Sequence, residues 1–272
     1  MKKVFDLTNR YIIIATPLLI FLFLLSVYFL AVMQNVHLIK LIFSLLLTFF
    51  MFSAFVSGWG NMIKSAVLEK EYDEPYLIIK NFVPGVGEYF FSVAGILLIA
   101  FLFNITLLIL TYYIGMNFIG DIGVSSSALS GALASNEALR SFLTSLSAEQ
   151  LLKLNMWNML ILSVMSIFYF LTMFFMPALF FESKNPLKAI FYSIKHLLGR
   201  KILLNIGIYL LIFVVNFIIS VFSAICSVNP ILSFVMTLLN FYFICTVAVG
   251  VFYYYNKNFM SSHLGNSIDT YI

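Results

Sequence analysis

The sequence predicts an all-α fold, a polytopic transmembrane bundle of six spans with short interfacial amphipathic helices, and three observations carry that prediction. Hydrophobic residues fill 62% of the chain and charged residues only 10%. A soluble globular domain carries roughly 25% charged residues and has no way to hide this much apolar surface. Six apolar runs, at about 11–33, 41–62, 89–113, 156–181, 202–228 and 231–255, each reach the ~20 residues that cross a ~30 Å hydrocarbon core. The basic residues gather in alternate connections, as they do in a multi-pass chain. Residues 1–272 read as one integral membrane domain, with 115–153 as an outer-face loop and helical cap.

Lys2, Lys3 and Arg10 precede the first run. At 23 residues it exceeds the ~7–15 of a signal-peptide core, and no small-x-small cleavage site follows, so it reads as a retained span. Pro17, in its first two turns, is expected at most to kink it. The connection Gln34 to Lys40 leads to a second run ending near Met62, where the indole of Trp59 suits the interface. Within that run, Ala54 and Gly58 are small residues one helical turn apart, suited to close packing. Lys64 to Glu88 reads as a charged loop holding a short helix, Pro75 to Phe82, cut off by Pro84, Gly85 and Gly87 before span three.

Between spans three and four, Ser125 to Ser135 is rich in Ser, Ala and Gly and reads as a flexible or loosely packed loop. Leu139, Phe142, Leu143 and Leu146 mark an amphipathic turn-and-a-half. Ser147-Ala-Glu-Gln150 fits a capping box that opens a helix running on into span four. Such an element either caps the bundle on the outer face or is a surface hairpin with no special role. Pro177 lies near the end of span four, and Asn229-Pro230 makes a tight turn between spans five and six.

Glu182 to Lys201 carries the clearest amphipathic helix. It holds five of the fifteen basic residues and one of the eleven acids. Asn185 is placed to cap the first-turn amides, and Pro186 fits the first helical position. Leu187, Ile190, Phe191, Ile194, Leu197 and Leu198 share one face; Lys188, Ser193, Lys195 and His196 take the other. Gly199 reads as a stop that adopts positive φ. A helix of ~13 residues spans ~20 Å at ~1.5 Å per residue. One this short with a cationic face is expected to lie in the headgroup plane of an anionic leaflet, as a packing element or as a lipid or partner site. Lys184, Lys188, Lys195, Arg200 and Lys201 are the candidate inner-leaflet lipid contacts.

With the N-terminus inside, twelve basic residues fall on the cytoplasmic side and only Lys40, Arg140 and Lys153 outside. That bias places both termini in the cytoplasm and the protein in the cell (inner) membrane. The hairpins of spans two and three and of spans four and five both turn there, each turn carrying an acid, a Pro and a short apolar-faced helix (Glu74-Pro75; Glu182, then Asn185-Pro186). The pattern suggests a parallel duplication.

The chemistry of the spans is sparse. No Asp, Glu, Lys or Arg lies in them away from their ends, which argues against a proton-driven pump. His37, His196 and His263 fall in separate segments, and no HExxH, Walker A or GxSxG pattern occurs. Cys226 and Cys245 read as small buried hydrophobes. Neither a metal, another cofactor nor a catalytic set is expected. The net charge of +4 resides in loops beside spans and is no sign of nucleic acid. The amides Asn104, Asn216 and Asn240 each lie near the middle of a span and form the candidate midplane polar site. Asn205, Asn216 and Ser220 lie along one helix stripe. Two readings stand: interhelical glue worth ~0.6–2 kcal/mol per bond, or the lining of a polar path.

The Pro-headed basic helix before span five, the six-span layout and Phe252-Tyr253-Tyr254-Tyr255 resemble a loose group of bacterial six-helix membrane proteins of largely unknown role. One branch is the membrane domain attached to some glycerophosphodiester phosphodiesterases. The resemblance implies the bundle but not the enzymatic activity, because this chain has no room for the phosphodiesterase barrel. Two functions remain as expectations. One is a non-enzymatic permease-like subunit or accessory factor acting through lipids, a partner membrane protein or an ATPase subunit. The other is a membrane-embedded enzyme acting on lipids.

Overall fold

A computed structural model describes residues 2–32, 38–68, 74–132 and 135–260, and every regular element among them is helical. The elements are α1 (Lys2–Arg10), α2 (Ala15–Val32), α3 (Leu38–Val67), α4 (Phe82–Phe118), α5 (Ser126–Ala132), α6 (Asn136–Ser145), α7 (Ala148–Thr172), α8 (Phe175–Phe181), α9 (Pro186–Leu197), α10 (Ile202–Cys226) and α11 (Pro230–Tyr255). Short 3₁₀ segments, Ile12–Ile14 and Pro75–Asn81, precede α2 and α4, and a π turn, Asn256–Met260, follows α11. His37, Lys70 and His263 lie outside the described residues.

Among the described residues, six stretches are long and apolar enough to cross a membrane: Ile12–Val32, Ile39–Val67, Pro75–Phe118, Ala148–Phe181, Ile202–Cys226 and Pro230–Met260. Only 11 to 22% of the residues in their most apolar windows are buried within the protein. Phe91 is 85% exposed and Leu203 82%. Apolar surface on this scale needs hydrocarbon around it, so the chain is a multi-pass membrane protein.

Prolines decide where these stretches bend. Pro17 lacks the N–H that would bond the carbonyl of Ile13, and the chain takes a 3₁₀ turn there, separating α1 from α2. The span itself, Ile12–Val32, continues past Pro17, and α1, which precedes it, packs on α11. Leu7 and Thr8 are buried, the Tyr242 hydroxyl donates to Asn9 Oδ1 at 2.8 Å, and Val4 lies beside Gly250. Pro177 acts similarly on Met173 and divides α7 from α8. Pro84 and Gly85 do not end a helix, contrary to expectation: they occupy the first turn of α4, where proline is tolerated. The short helix before them is 3₁₀, with Ile78 buried.

Packing divides the chain into two compact units, Met1–Leu98 with Leu171–Ile272, and Ile99–Phe170. In the first, Phe21 stacks on Phe55 with centroids 4.3 Å apart, beside Leu18 and buried Cys245. Trp59 stacks on Phe55 and donates its indole N–H to the Ile14 carbonyl at 2.9 Å. It ties α3 to the bend before α2, where the sequence suggested an interfacial anchor. Gly58 and Gly60 admit the rings of Phe82 and Phe180, which a Cβ would meet at 2.7 and 2.4 Å.

In the second unit, Ser125 to Ser135 is not all loop, because α5 occupies Ser126–Ala132. Ser135 caps α6 through Ala138 N. The capping box forms as expected: Ser147 Oγ accepts from Gln150 N at 3.2 Å, and Gln150 Oε1 accepts from Ser147 N at 3.0 Å. The helix it opens, α7, runs unbroken into span four.

Candidate functional site at the α8–α9 junction

The local sequence builds α9 as expected. Asn185 Oδ1 accepts from the amides of Leu187 and Lys188 at 3.0 and 3.2 Å, and Pro186 starts the helix. Its buried side matches neither expected face alone. Ala189, Ser193 and Leu197 are buried against the protein, while Leu187, Phe191, Ile194 and Leu198 are 69, 65, 38 and 51% exposed. The bulky residues form an outward ridge, and Lys188 and Lys195 are exposed beside it. Gly199 ends the helix without positive φ. Its missing side chain matters because a Cβ would lie 2.7 Å from the Lys195 carbonyl.

The inner face of α9 is held by a polar network among aromatic rings. Glu182, just after α8, lies with Oε1 2.8 Å from His196 Nε2 on the last turn of α9. The same oxygen accepts from the Tyr255 hydroxyl at the end of α11. Opposite an ionised carboxylate, which only accepts, Nε2 of His196 is the donor. Phe259 stacks on His196 with centroids 4.5 Å apart, and Phe174 packs against Tyr254, Tyr255 and Phe259. The side chains of His196 and Glu182 are only 18 and 13% exposed, which strengthens their hydrogen bonds.

Asn205 completes the network from α10. It is fully buried; Nδ2 donates to the carbonyls of His196 and Leu197 at 3.0 and 2.8 Å, and Oδ1 accepts from the Tyr254 hydroxyl at 2.7 Å. Carbonyls in the last turn of a helix have no intrahelical partner, so Asn205 caps α9 from a different helix. On the other side of the junction, Lys184 forms a 2.8 Å ion pair with Glu88 and lies 5.5 Å from the centroid of the Tyr89 ring. Lys64 donates to the Tyr89 hydroxyl at 2.8 Å.

The five basic residues expected at the lipid surface therefore differ in situation. Lys188, Lys195 and Arg200 are exposed. Lys184 is paired, and Lys201 donates to Asn258 Oδ1 at 2.8 Å. The amides also differ. Asn240 Nδ2 donates to Ser223 Oγ at 3.1 Å, and Asn216 is exposed on α10. Asn104 belongs to the second unit, where its Nδ2 lies 3.6 Å from Met165 Sδ. Asn205 and Asn216 share a helix stripe, but only the Asn205 end is covered, by α9 and Tyr254.

Sequence reasoning missed the partnership of Glu182, His196 and Tyr255. The available signal was Glu182 itself, a lone acid at a span boundary among five bases. No cluster of three metal-ligating side chains occurs among the described residues. The Ser193 hydroxyl, buried on the same face of α9, has no hydrogen-bond partner there.

Fold and site together define a six-span membrane protein whose fourth and fifth spans are joined by a clamped helix with an outward apolar ridge. No family model matches the chain, and no curated protein or solved structure matches it.

Proposed function

We propose that the protein is a non-enzymatic membrane accessory factor that grips the anionic cytoplasmic leaflet through α9 and acts through lipids or a partner membrane protein, with both termini cytoplasmic. The outward ridge Leu187, Phe191, Ile194 and Leu198, beside exposed Lys188, Lys195 and Arg200, carries this reading. A helix joining two spans sits at the membrane boundary by connectivity, and acyl chains beneath anionic headgroups match an apolar ridge flanked by cations. The twelve-to-three bias of basic residues supports the cytoplasmic side. A permease-like role is the variant in which the clamp relays a partner's movement to the spans.

The test is a fluorophore at Phe191→Cys in a chain with Cys226 and Cys245 replaced, reconstituted in nanodiscs of phosphatidylglycerol or phosphatidylcholine. The fluorophore is expected at the headgroup–acyl boundary, shallower in the phosphatidylglycerol discs after Lys188→Glu with Lys195→Glu. A water-like signal from position 191 in both lipids would overturn the reading. The Glu182–His196 pair favours a second reading, a lipid-acting membrane enzyme. Turnover of labelled phospholipid by the purified protein, abolished by His196→Gln, would replace the first reading with this one.

A further inference from the structure

A cavity of about 270 Å³ opens in the second unit, lined by Tyr112, Met116, Gly120, Asp121, Ile122 and Trp157. Sequence and local geometry explain how it forms. The apolar stretch containing α4 ends at Phe118, and Gly120 and Gly123, with φ of 77° and 73°, turn the chain through conformations that favour glycine. Asp121 Oδ1 accepts from Gly123 N at 3.0 Å, which fixes the carboxylate at the rim. Trp157 packs its ring against Gly115, where a Cβ would lie 2.2 Å away, and donates its indole N–H to the Gly120 carbonyl at 3.1 Å. The indole is thereby held beside Tyr112, centroids 6.4 Å apart.

We propose that this cavity binds an organic ammonium group, of the kind carried by choline and by zwitterionic lipid headgroups. Two aromatic rings line it, and such rings attract a cation; the Met116 thioether can make soft contact with methyl or methylene groups, and Asp121 can supply the compensating charge. Tyr and Trp commonly line membrane boundaries, but here they share an open cavity with a carboxylate. It lies just past the end of the stretch Pro75–Phe118 and beside the third turn of Ala148–Phe181, a place that suits headgroup depth, where ammonium groups are concentrated. A hydrated inorganic cation gains less from such walls, because it keeps its water and has no apolar surface to bury.

The chain contains two tryptophans. Trp59→Phe leaves Trp157 as the sole indole, so its emission reports on the cavity. In maltoside micelles, choline chloride is expected to change that emission saturably, and lithium chloride at equal ionic strength is not. Asp121→Asn keeps the Oδ1 acceptor for Gly123 N but removes the charge, and should weaken choline binding by about tenfold. Saturation-transfer NMR of the choline methyl protons repeats the measurement on the unmodified chain. Nanodiscs of phosphatidylcholine against phosphatidylglycerol separate the sources: an emission difference between them identifies a lipid headgroup, and a response to free choline alone identifies a solute. No saturable response in either arm, an equal response to lithium, or binding unchanged by Asp121→Asn overturns the proposal.

Discussion

Glu182 Oε1 and His196 Nε2 lie 2.8 Å apart across the turn between α8 and α9, and the Tyr255 hydroxyl of α11 donates to the same carboxylate oxygen. One oxygen therefore joins three helices at a span boundary. Glu182→Leu should leave His196 and Tyr255 without their acceptor and destabilise the protein by about 1–3 kcal/mol. Thermal unfolding in detergent checks this, with Lys188→Ala, an exposed cation, as the neutral control. Equal melting temperatures for the two variants would show that the network contributes nothing.

Asn205 should matter for α9 more than for its own helix. Asn205→Leu strips the cap from the His196 and Leu197 carbonyls and the acceptor from Tyr254, at a cost of about 1–3 kcal/mol. Hydrogen exchange should accelerate in the last turn of α9 while the middle of α10 stays protected. Uniform acceleration across both helices would mean a global effect instead.

Two glycines should respond in opposite directions to alanine. A Cβ at Gly60 would lie 2.4 Å from the Phe180 ring, so Gly60→Ala should cost about 1–3 kcal/mol through overpacking. A Cβ at Gly207, within α10, meets nothing within 4 Å. Gly207→Ala should stabilise by about 0.5–1 kcal/mol through helix propensity. Melting temperatures of the pair decide the matter, since a shared sign would contradict this packing.

The Asn240–Ser223 bond should behave as interhelical glue. A double-mutant cycle of Asn240→Leu and Ser223→Ala is expected to give about 0.6–2 kcal/mol of coupling. Asn216→Leu, at an exposed position, should cost nothing or stabilise, because it removes an amide from a lipid-facing surface. A large loss of stability from Asn216→Leu would require a partner for that amide.

The orientation has its own test. With Cys226 and Cys245 replaced, Ser130→Cys should react with an impermeant maleimide added to intact cells, and Lys188→Cys only after the membrane is opened. The reverse pattern would invert the topology derived from the basic residues.

Much of the architecture was legible in the sequence because it depends on composition and on contacts within a few residues. The six spans follow from apolar runs, and the caps at Asn185-Pro186 and Ser147 to Gln150 and the turn at Asn229-Pro230, which also caps α11, are closed by neighbours two or three positions away. The inward side of α9 was not legible: the pattern puts Ser193 and His196 on the cationic face and Leu197 on the apolar one, yet all three pack inward. Amphipathic patterning separates apolar from polar residues but does not say which of them meet the protein, and small or polar residues such as Ala189 and Ser193 allow close packing there. The network was also hidden, since Tyr255 stands 73 residues from Glu182 and no local pattern records such a separation. Only the packing of α8, α9, α10 and α11 brings Glu182, His196, Asn205 and Tyr255 together, because burial among aromatic rings makes their mutual hydrogen bonds the available substitute for water.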